Sequence, residues 1–388
     1  MARVIACRFC RGTDGDVVLD LGEQPSSELF PPAADRGPDP LLPLRMWLCA
    51  GCGLAQLVAA EGTEDVTEEP LGTEPAALRR QRAAALQRLV AAGVLPERAS
   101  GAGGTVVEYP SPHGGTWLPE LADHGLTPAG PDGGPADVVV DACFGMMHAR
   151  DQRAALAERA ARLAPGGVLL LQYHCLGAIV EGRQWNALRH GHYAYYSTPA
   201  LVGMLAAAGL SAATAHRFPL YGGTVLLVAR RPGELSASAG ARVGPPPDAA
   251  LAEVVAGEEA AGVRDAAAVA ALQGSVARTA DGLRAACAAH RAAGRRVYGY
   301  GAASRAVALL RLAGLDAGSL TAVADASPDK HGRRMPGTDI PVIAPDALVA
   351  ARPDVVLVFV SDLLDEVRTA LPQVEAAGCT WVDAGAGV

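Results

Sequence analysis

Four cysteines near the N-terminus form two short knuckles, Cys7 and Cys10 in CRFC and Cys49 and Cys52 in CAGC. At that spacing both sulfurs of a pair can point at one ion, and four soft thiolates suit tetrahedral Zn²⁺. With every position filled by protein, no place remains for a reacting water, so the metal is expected to be structural. A second chemical signal is the turn GYGAASR, Gly299 to Arg305, which follows RRVYGY and opens a helix. A helix N-terminus behind glycines favours anions. Asp325 ends the next strand, where a ribose-binding acid would sit, although GxGA is only half of a dinucleotide fingerprint.

These groups need elements to hold them. A chain of 388 residues exceeds one ordinary domain. Half its residues are hydrophobic but only 4% aromatic, the mass being Ala, Val and Leu, which suits alternating helices and buried strands. The net charge of -8 and pI near 5.6 argue against a nucleic-acid partner, which needs concentrated Lys and Arg. The N-terminus lacks the apolar core of a signal peptide and no apolar run has membrane-spanning length, so a cytoplasmic location is expected. There Cys143, Cys175, Cys287 and Cys379 read as buried thiols.

Three segments follow. Residues 1–60 make a small, metal-stapled module with a Pro-rich insert. Residues 61–242 begin with an acidic linker and a helix ending near Gly93. They continue as β-rich runs (TVVEY, ADVVVDACF, GGVLLLQYH, GTVLLVARR) alternating with amphipathic helices, a βαβ pattern with a mainly parallel sheet. After the boundary at VGPPPDAA, residues 243–388 give Ala-rich helices and a second α/β unit. The expected class is α/β: a zinc module and two Rossmann-like domains, the central one truncated.

Several runs together, CRFC, LDLGEQP, LPLRMWLCAGCGLAQL, LRHGHYAYYS, LYGGTVLL, VYGYGAASRAVALL and DASPDKHGRRMPGTDIPV, resemble the nucleotide-sugar C-methyltransferases of antibiotic deoxysugar pathways. The resemblance touches all three segments in order. It implies a zinc module, a central S-adenosylmethionine-binding Rossmann domain, and a C-terminal Rossmann-like domain that helps hold a nucleotide sugar. The implied chemistry is deprotonation beside a keto group, then methylation of the carbanion. The family's base motif, Tyr-His-Glu-His-x-x-Tyr, falls on Arg189, His190, Gly191, His192, Tyr193, Ala194 and Tyr195. His192 inherits the base role, and a neutral imidazole suits it. His190 and Tyr195 are implied beside it, with Tyr221 where the family has a His ahead of Gly222 and Gly223. Substrate contacts are implied for Arg189, Tyr193, Tyr196, Gly222 and Gly223, and for Gly299, Gly301, Ser304, Arg305, Asp325, Lys330 and Arg333. The family's Glu and leading Tyr are Gly191 and Arg189 here, its turn Lys is Arg305, and its later Trp-Asn pair is Val360 and Ser361. As a structural alternative, the His and Tyr residues of LRHGHYAYYS form a half-exposed aromatic cluster beside a strand.

The methyl-donor turn departs most. A donor nucleotide needs a glycine-rich first turn and an acid after the second strand. Here the turn reads VVEYPSPHGGTWL, with Pro110 and Pro112 where flexible residues are expected. Few residues separate Leu118 from the strand at Ala136, so the second strand is expected to be shortened or absent. Glu108, Ser111 and Asp132 are the remaining donor-site candidates. Three functions fit, in this order: a keto-sugar enolising enzyme of epimerase, isomerase or eliminase type without methyl transfer; a working S-adenosylmethionine-dependent C-methyltransferase; and a non-catalytic nucleotide-sugar-binding partner.

Overall fold

A computed structural model describes residues 4–58, 74–95, 103–130, 133–231 and 248–384. The acidic linker 61–73, Asp132 and the prolines at 245–247 lie outside them.

Three sheets organise the chain. The first is antiparallel, in the order β1 (Gly15–Pro25), β2 (Leu41–Cys49), β3 (Ala55–Leu57) and β8 (Ala194–Tyr195). Its last strand comes from far along the sequence, paired as Ala55 with Tyr195 and Gln56 with Ala194. A strand from outside residues 1–60 therefore completes the N-terminal sheet.

The second sheet follows α1 (Ala76–Ala91). It is built from β4 (Gly104–Glu108), β5 (Leu126–Pro128), β6 (Ala136–Asp141), β7 (Leu163–His174), β9 (Ser211–Phe218) and β10 (Thr224–Arg230) in the order β5-β4-β6-β7-β10-β9. The first four are parallel; β10 runs antiparallel to β7 and β9. Strand β7 is buried continuously from Gly167's successor Val168 to His174, the pattern of a strand covered on both faces. Between β4 and β6 the chain makes only α2 (Leu118–Asp123) and β5 among the described residues. The second strand is thus present but only three residues long. Helices α3 (Gln152–Ala161), α4 (Leu176–Glu181) and α5 (Thr198–Ala207) complete this layer, α3 and α5 started by Asp151 and Ser197 accepting from Ala154 and Ala200 amides.

Helices α6 (Ala249–Ala260), α7 (Ala266–Ala270) and α8 (Gln273–Ala292) lead to the third sheet. Strands β11 (Val297–Tyr300), β12 (Val323–Ala324), β13 (Val342–Ile343), β14 (Val355–Val358) and β15 (Thr380–Asp383) are all parallel, ordered β13-β12-β11-β14-β15. Helices α9 (Ser304–Leu312), α10 (Pro345–Ala351), α11 (Leu364–Ala370) and α12 (Pro372–Ala376) connect them. The architecture is mixed α/β.

The N-terminal module shares apolar cores with both neighbours. Leu19 and Met46 pack in one cluster with Val307, Leu310 and Leu357 of the C-terminal unit. Trp47, Cys49 and Leu54 pack in another with Leu169, Leu171 and Tyr196 of the central one. No helix among the described residues is long and apolar enough to cross a membrane.

Candidate functional site

The four cysteines converge. The Sγ atoms of Cys7 and Cys52, and those of Cys10 and Cys49, are 3.5 Å apart, and all four lie within 4.8 Å of one another. A tetrahedral zinc with Zn–S near 2.3 Å puts its sulfurs about 3.8 Å apart. Amides of Phe9 and Gly12 donate to Cys7 and Cys10 sulfurs at 3.4 Å, supporting negative charge there. The donor set fits one structural zinc. Of the other cysteines, Cys175, Cys287 and Cys379 are buried, whereas Cys143 is partly exposed and lines the cavity described next.

A cavity of about 730 Å³ lies between the central and C-terminal units, within the range of small-molecule sites. All three segments supply its walls: Glu28 from the first, His192 from the second, Arg305 from the third. Of the sequence candidates it brings together Arg189, His192, Tyr221, Gly222, Gly301, Ser304, Arg305, Asp325 and Lys330, along with Val360 and Ser361. Gly301 has φ 90°, a backbone that favours glycine, and a Cβ there would stand 2.8 Å from Val360.

Other candidates sit behind this wall. The LRHGHYAYYS run is buried, not half-exposed, because β8 closes the N-terminal sheet over it. His190 meets the Pro43 carbonyl at 3.3 Å. Tyr193 lies under the guanidinium groups of Arg8 and Arg150. Tyr195 Oη accepts from the Arg189 amide at 3.0 Å, and Tyr196 Oη donates to Gln152. Gly223 and Gly299 serve packing, since a Cβ would meet Ala178 at 2.1 Å or Phe359 at 2.7 Å. Arg333 donates to the carbonyls of Phe30 and Asp329, tying the first segment to the third.

Burial and cations set the charge of the cavity. Burial, then Arg189, His148, His113 and Arg305, hold His192 well below the usual histidine range, so its imidazole is neutral. Arg189 Nε lies 2.8 Å from His192 Nε2, and the Arg189 guanidinium pairs with Glu28 at 3.5 Å. Burial also brings Arg305 down to about 10, with Arg189 adding like-charge repulsion and Asp362 opposing it. Lys330 donates to the Ala302 carbonyl at 2.9 Å and faces Asp325 at 3.7 Å.

The turn after β4 folds inward. Glu108 accepts from the Trp117 amide at 2.6 Å and the Thr116 hydroxyl at 2.5 Å, so its carboxylate is used within the turn. Ser111 is buried and its Oγ accepts from the His113 amide at 3.2 Å. The Pro110 carbonyl presses on Gly145, where a Cβ would stand only 2.6 Å away. This contact lies at the crevice between the carboxyl ends of β4 and β6, the place where open α/β sheets bind ligands.

Three family matches cover this architecture in order. Residues 7–66 match the family described as "Putative zinc binding domain", residues 78–215 the "Methyltransferase domain", and residues 219–384 the "C-methyltransferase C-terminal domain". The chain thus carries these three domains in order, the last of them the C-methyltransferase C-terminal domain. C-methyltransferase NovU of Streptomyces niveus is similar, at 26% identity over 225 residues covering 58% of this chain and 51% of that protein. The chain thus spans about half the length of this curated relative. Among solved structures, an O-methyltransferase family protein from Burkholderia thailandensis overlays at TM-score 0.27 with 17% identity, covering 41% of this chain and 60% of the other. The 1,6-didemethyltoxoflavin-N1-methyltransferase of the same organism overlays at 0.26 with 16% identity, covering 46% and 95%. Neither overlay is close enough to carry an argument.

The cavity also contains residues that the sequence did not single out: Glu28, His113, His148, His174, Gln184 and Asp362. His148 had a signal, since it follows the carboxyl end of the strand ADVVVD, where ligand-facing residues collect. His113 stood in the proline turn. Glu28 and Asp362 had none, because their place depends on how separate sheets pack.

Proposed function

We propose that this chain, with its methyltransferase and C-methyltransferase C-terminal domains, enolises a keto sugar, nucleotide-linked, or a related ketone in the inter-unit cavity, without methyl transfer. His192 takes the proton from the carbon beside the carbonyl, leaving an enolate and an imidazolium. The enolate is then reprotonated from the imidazolium or loses a β-substituent together with its bonding pair. Two guanidinium groups, Arg189 and Arg305, line the cavity with His192 and are the groups to stabilise the enolate oxygen. A buried base of low proton affinity returns its proton readily, which suits isomerisation. Arg305, the α9 N-terminus and Lys330 form the anion-friendly side for a diphosphate, with Asp325 beside them for a ribose.

The single observation supporting the non-methylating reading is the proline turn: the Pro110 carbonyl stands so near Gly145 that a Cβ there would be 2.6 Å away, and only α2 and β5 intervene before β6 among the described residues. S-adenosylmethionine-dependent C-methylation is the second reading, favoured by Gly114 and Gly115, at φ 73° and 86°, which line the cavity just past the prolines.

Two measurements test the proposal. Incubated in deuterated water with a nucleotide-linked keto sugar, the protein is expected to exchange the α-hydrogen by NMR, and His192→Ala to abolish it. Unchanged exchange in His192→Ala removes the base role. Calorimetry with S-adenosylmethionine separates the readings: silence at millimolar ligand supports the first, and micromolar binding replaces it with the second.

A further inference from the structure

We propose that His113, His148 and His192 bind one divalent transition-metal ion on the cavity wall, a second metal site separate from the four cysteines. The three come from separate parts of the sequence: the turn after β4, the short 3-10 turn Met146–His148 after β6, and the segment before β8. Their candidate ligand nitrogens lie within 4.8 Å of one another. The ring centroids are 4.7 Å apart for His148 and His192, 5.0 Å for His113 and His148, and 5.8 Å for His113 and His192. The rings meet edge-on, with interplanar angles of 85°, 63° and 65°, so nitrogen lone pairs can converge.

The backbone around them is braced. The Tyr193 amide donates to the Met147 carbonyl at 2.8 Å, locking the His148 turn to the His192 segment. Asp141 accepts from the Met146 amide at 3.1 Å, and Gln152 Nε2 donates to the carbonyls of Met146 and Ala149. All three histidines border the cavity, so coordination positions remain on the open side. Three imidazole donors with an open position are the arrangement of a reactive rather than a closed site. Imidazole donors suit zinc, cobalt, nickel or copper, and a carbonyl or hydroxyl oxygen of the cavity's occupant would complete the shell. A bound ion has nitrogens about 3.3 Å apart, so the cluster must draw in by ~1.5 Å at most. His113 and His148 sit on short turns, which can move this far more easily than a helix or strand interior. Arg189, bonded to His192 Nε2 and paired with Glu28 at once, keeps the Glu28 carboxylate when that nitrogen takes the metal.

This site does not depend on the enolisation reading. The two do compete for one atom, since a metal-bound His192 nitrogen cannot take a proton. Metal loading is therefore expected to suppress α-hydrogen exchange.

The test uses the full chain with zinc in its cysteine site quantified by elemental analysis. Titrated with Co²⁺, the wild type is expected to take up one further equivalent, with visible d–d bands but no thiolate-to-cobalt charge transfer. His113→Ala and His148→Gln should each weaken that uptake at least ~100-fold while zinc stays at one equivalent and thermal unfolding stays cooperative. No uptake beyond the cysteine site, or uptake of equal affinity in a folded His113→Ala protein, overturns the proposal. Both outcomes are readable whether or not any substrate is turned over.

Discussion

Arg305 reaches out of the C-terminal unit to place Nη2 3.2 Å from Nδ1 of His174, at the end of β7 in the central unit. The same guanidinium lies 5.5 Å over the Tyr221 ring and has Nη1 3.5 Å from the Tyr221 carbonyl. One buried cation thus reads the spacing between two sheets.

Arg305→Ala is expected to weaken binding of an anionic substrate at least ~10-fold, the loss expected for one charge-assisted hydrogen bond. Initial rates should show this as a raised KM with a smaller change in kcat. Arg305→Lys should recover part of the charge but not the forked geometry. Equal KM values in all three proteins would remove Arg305 from the binding surface.

His174 makes stability depend on pH. Burial first, then Arg305 and Arg189, hold it well below the usual histidine range, so it is neutral when folded. The unfolded chain takes up its proton near pH 6.5. The unfolded state therefore binds more protons below that pH; the stabilisation is complete above it and drains away as pH falls toward the folded value. One such group contributes at most about 1.4 kcal/mol per pH unit. Urea unfolding at pH 7, 6 and 5 should give His174→Gln a flatter pH profile than the wild type, and parallel profiles would contradict the assignment.

Asp141 ends β6 with a 2.6 Å ion pair to Arg159, both side chains buried. Burial pushes the carboxyl up, and Arg159 pulls it back. Arg159→Leu leaves that carboxylate unpaired and is expected to cost ~3–5 kcal/mol. The double variant with Asp141→Asn should recover much of this in a denaturant melt. Additive losses would show that the two side chains do not act as a pair.

Removing zinc should be felt beyond the N-terminal module. The pairing of β3 with β8 ties the cysteine-bearing sheet to the segment carrying His192. Chelation is expected to raise hydrogen exchange at the amides of Ala55 to Leu57 and at residues 193–195 together, as read by mass spectrometry. Exchange confined to the cysteine loops would separate the two.

The alternation of β-rich runs and helices made the two larger α/β units legible, and the cysteine spacing marked the metal set. Less legible was everything that depends on distant packing. Periodicity assigns Ala194 and Tyr195 no partner, because two residues carry no pattern, yet their pairing buries the whole tyrosine run. The proline turn pointed to an altered crevice, but it did not reveal that His113 would face His148 and His192. The three-residue β5 falls below the length at which alternation can be read.

The borrowed strand β8 also sets a limit on dissection. Residues 4–58 taken alone would present the outer edge of β3, whose three residues are all buried in the whole chain, as open amides and carbonyls. Such an excised piece, even metal-loaded, would tend to recruit strands from its own copies. During synthesis the same edge waits for residues 194–195 to emerge, so this sheet is made well before it can be finished.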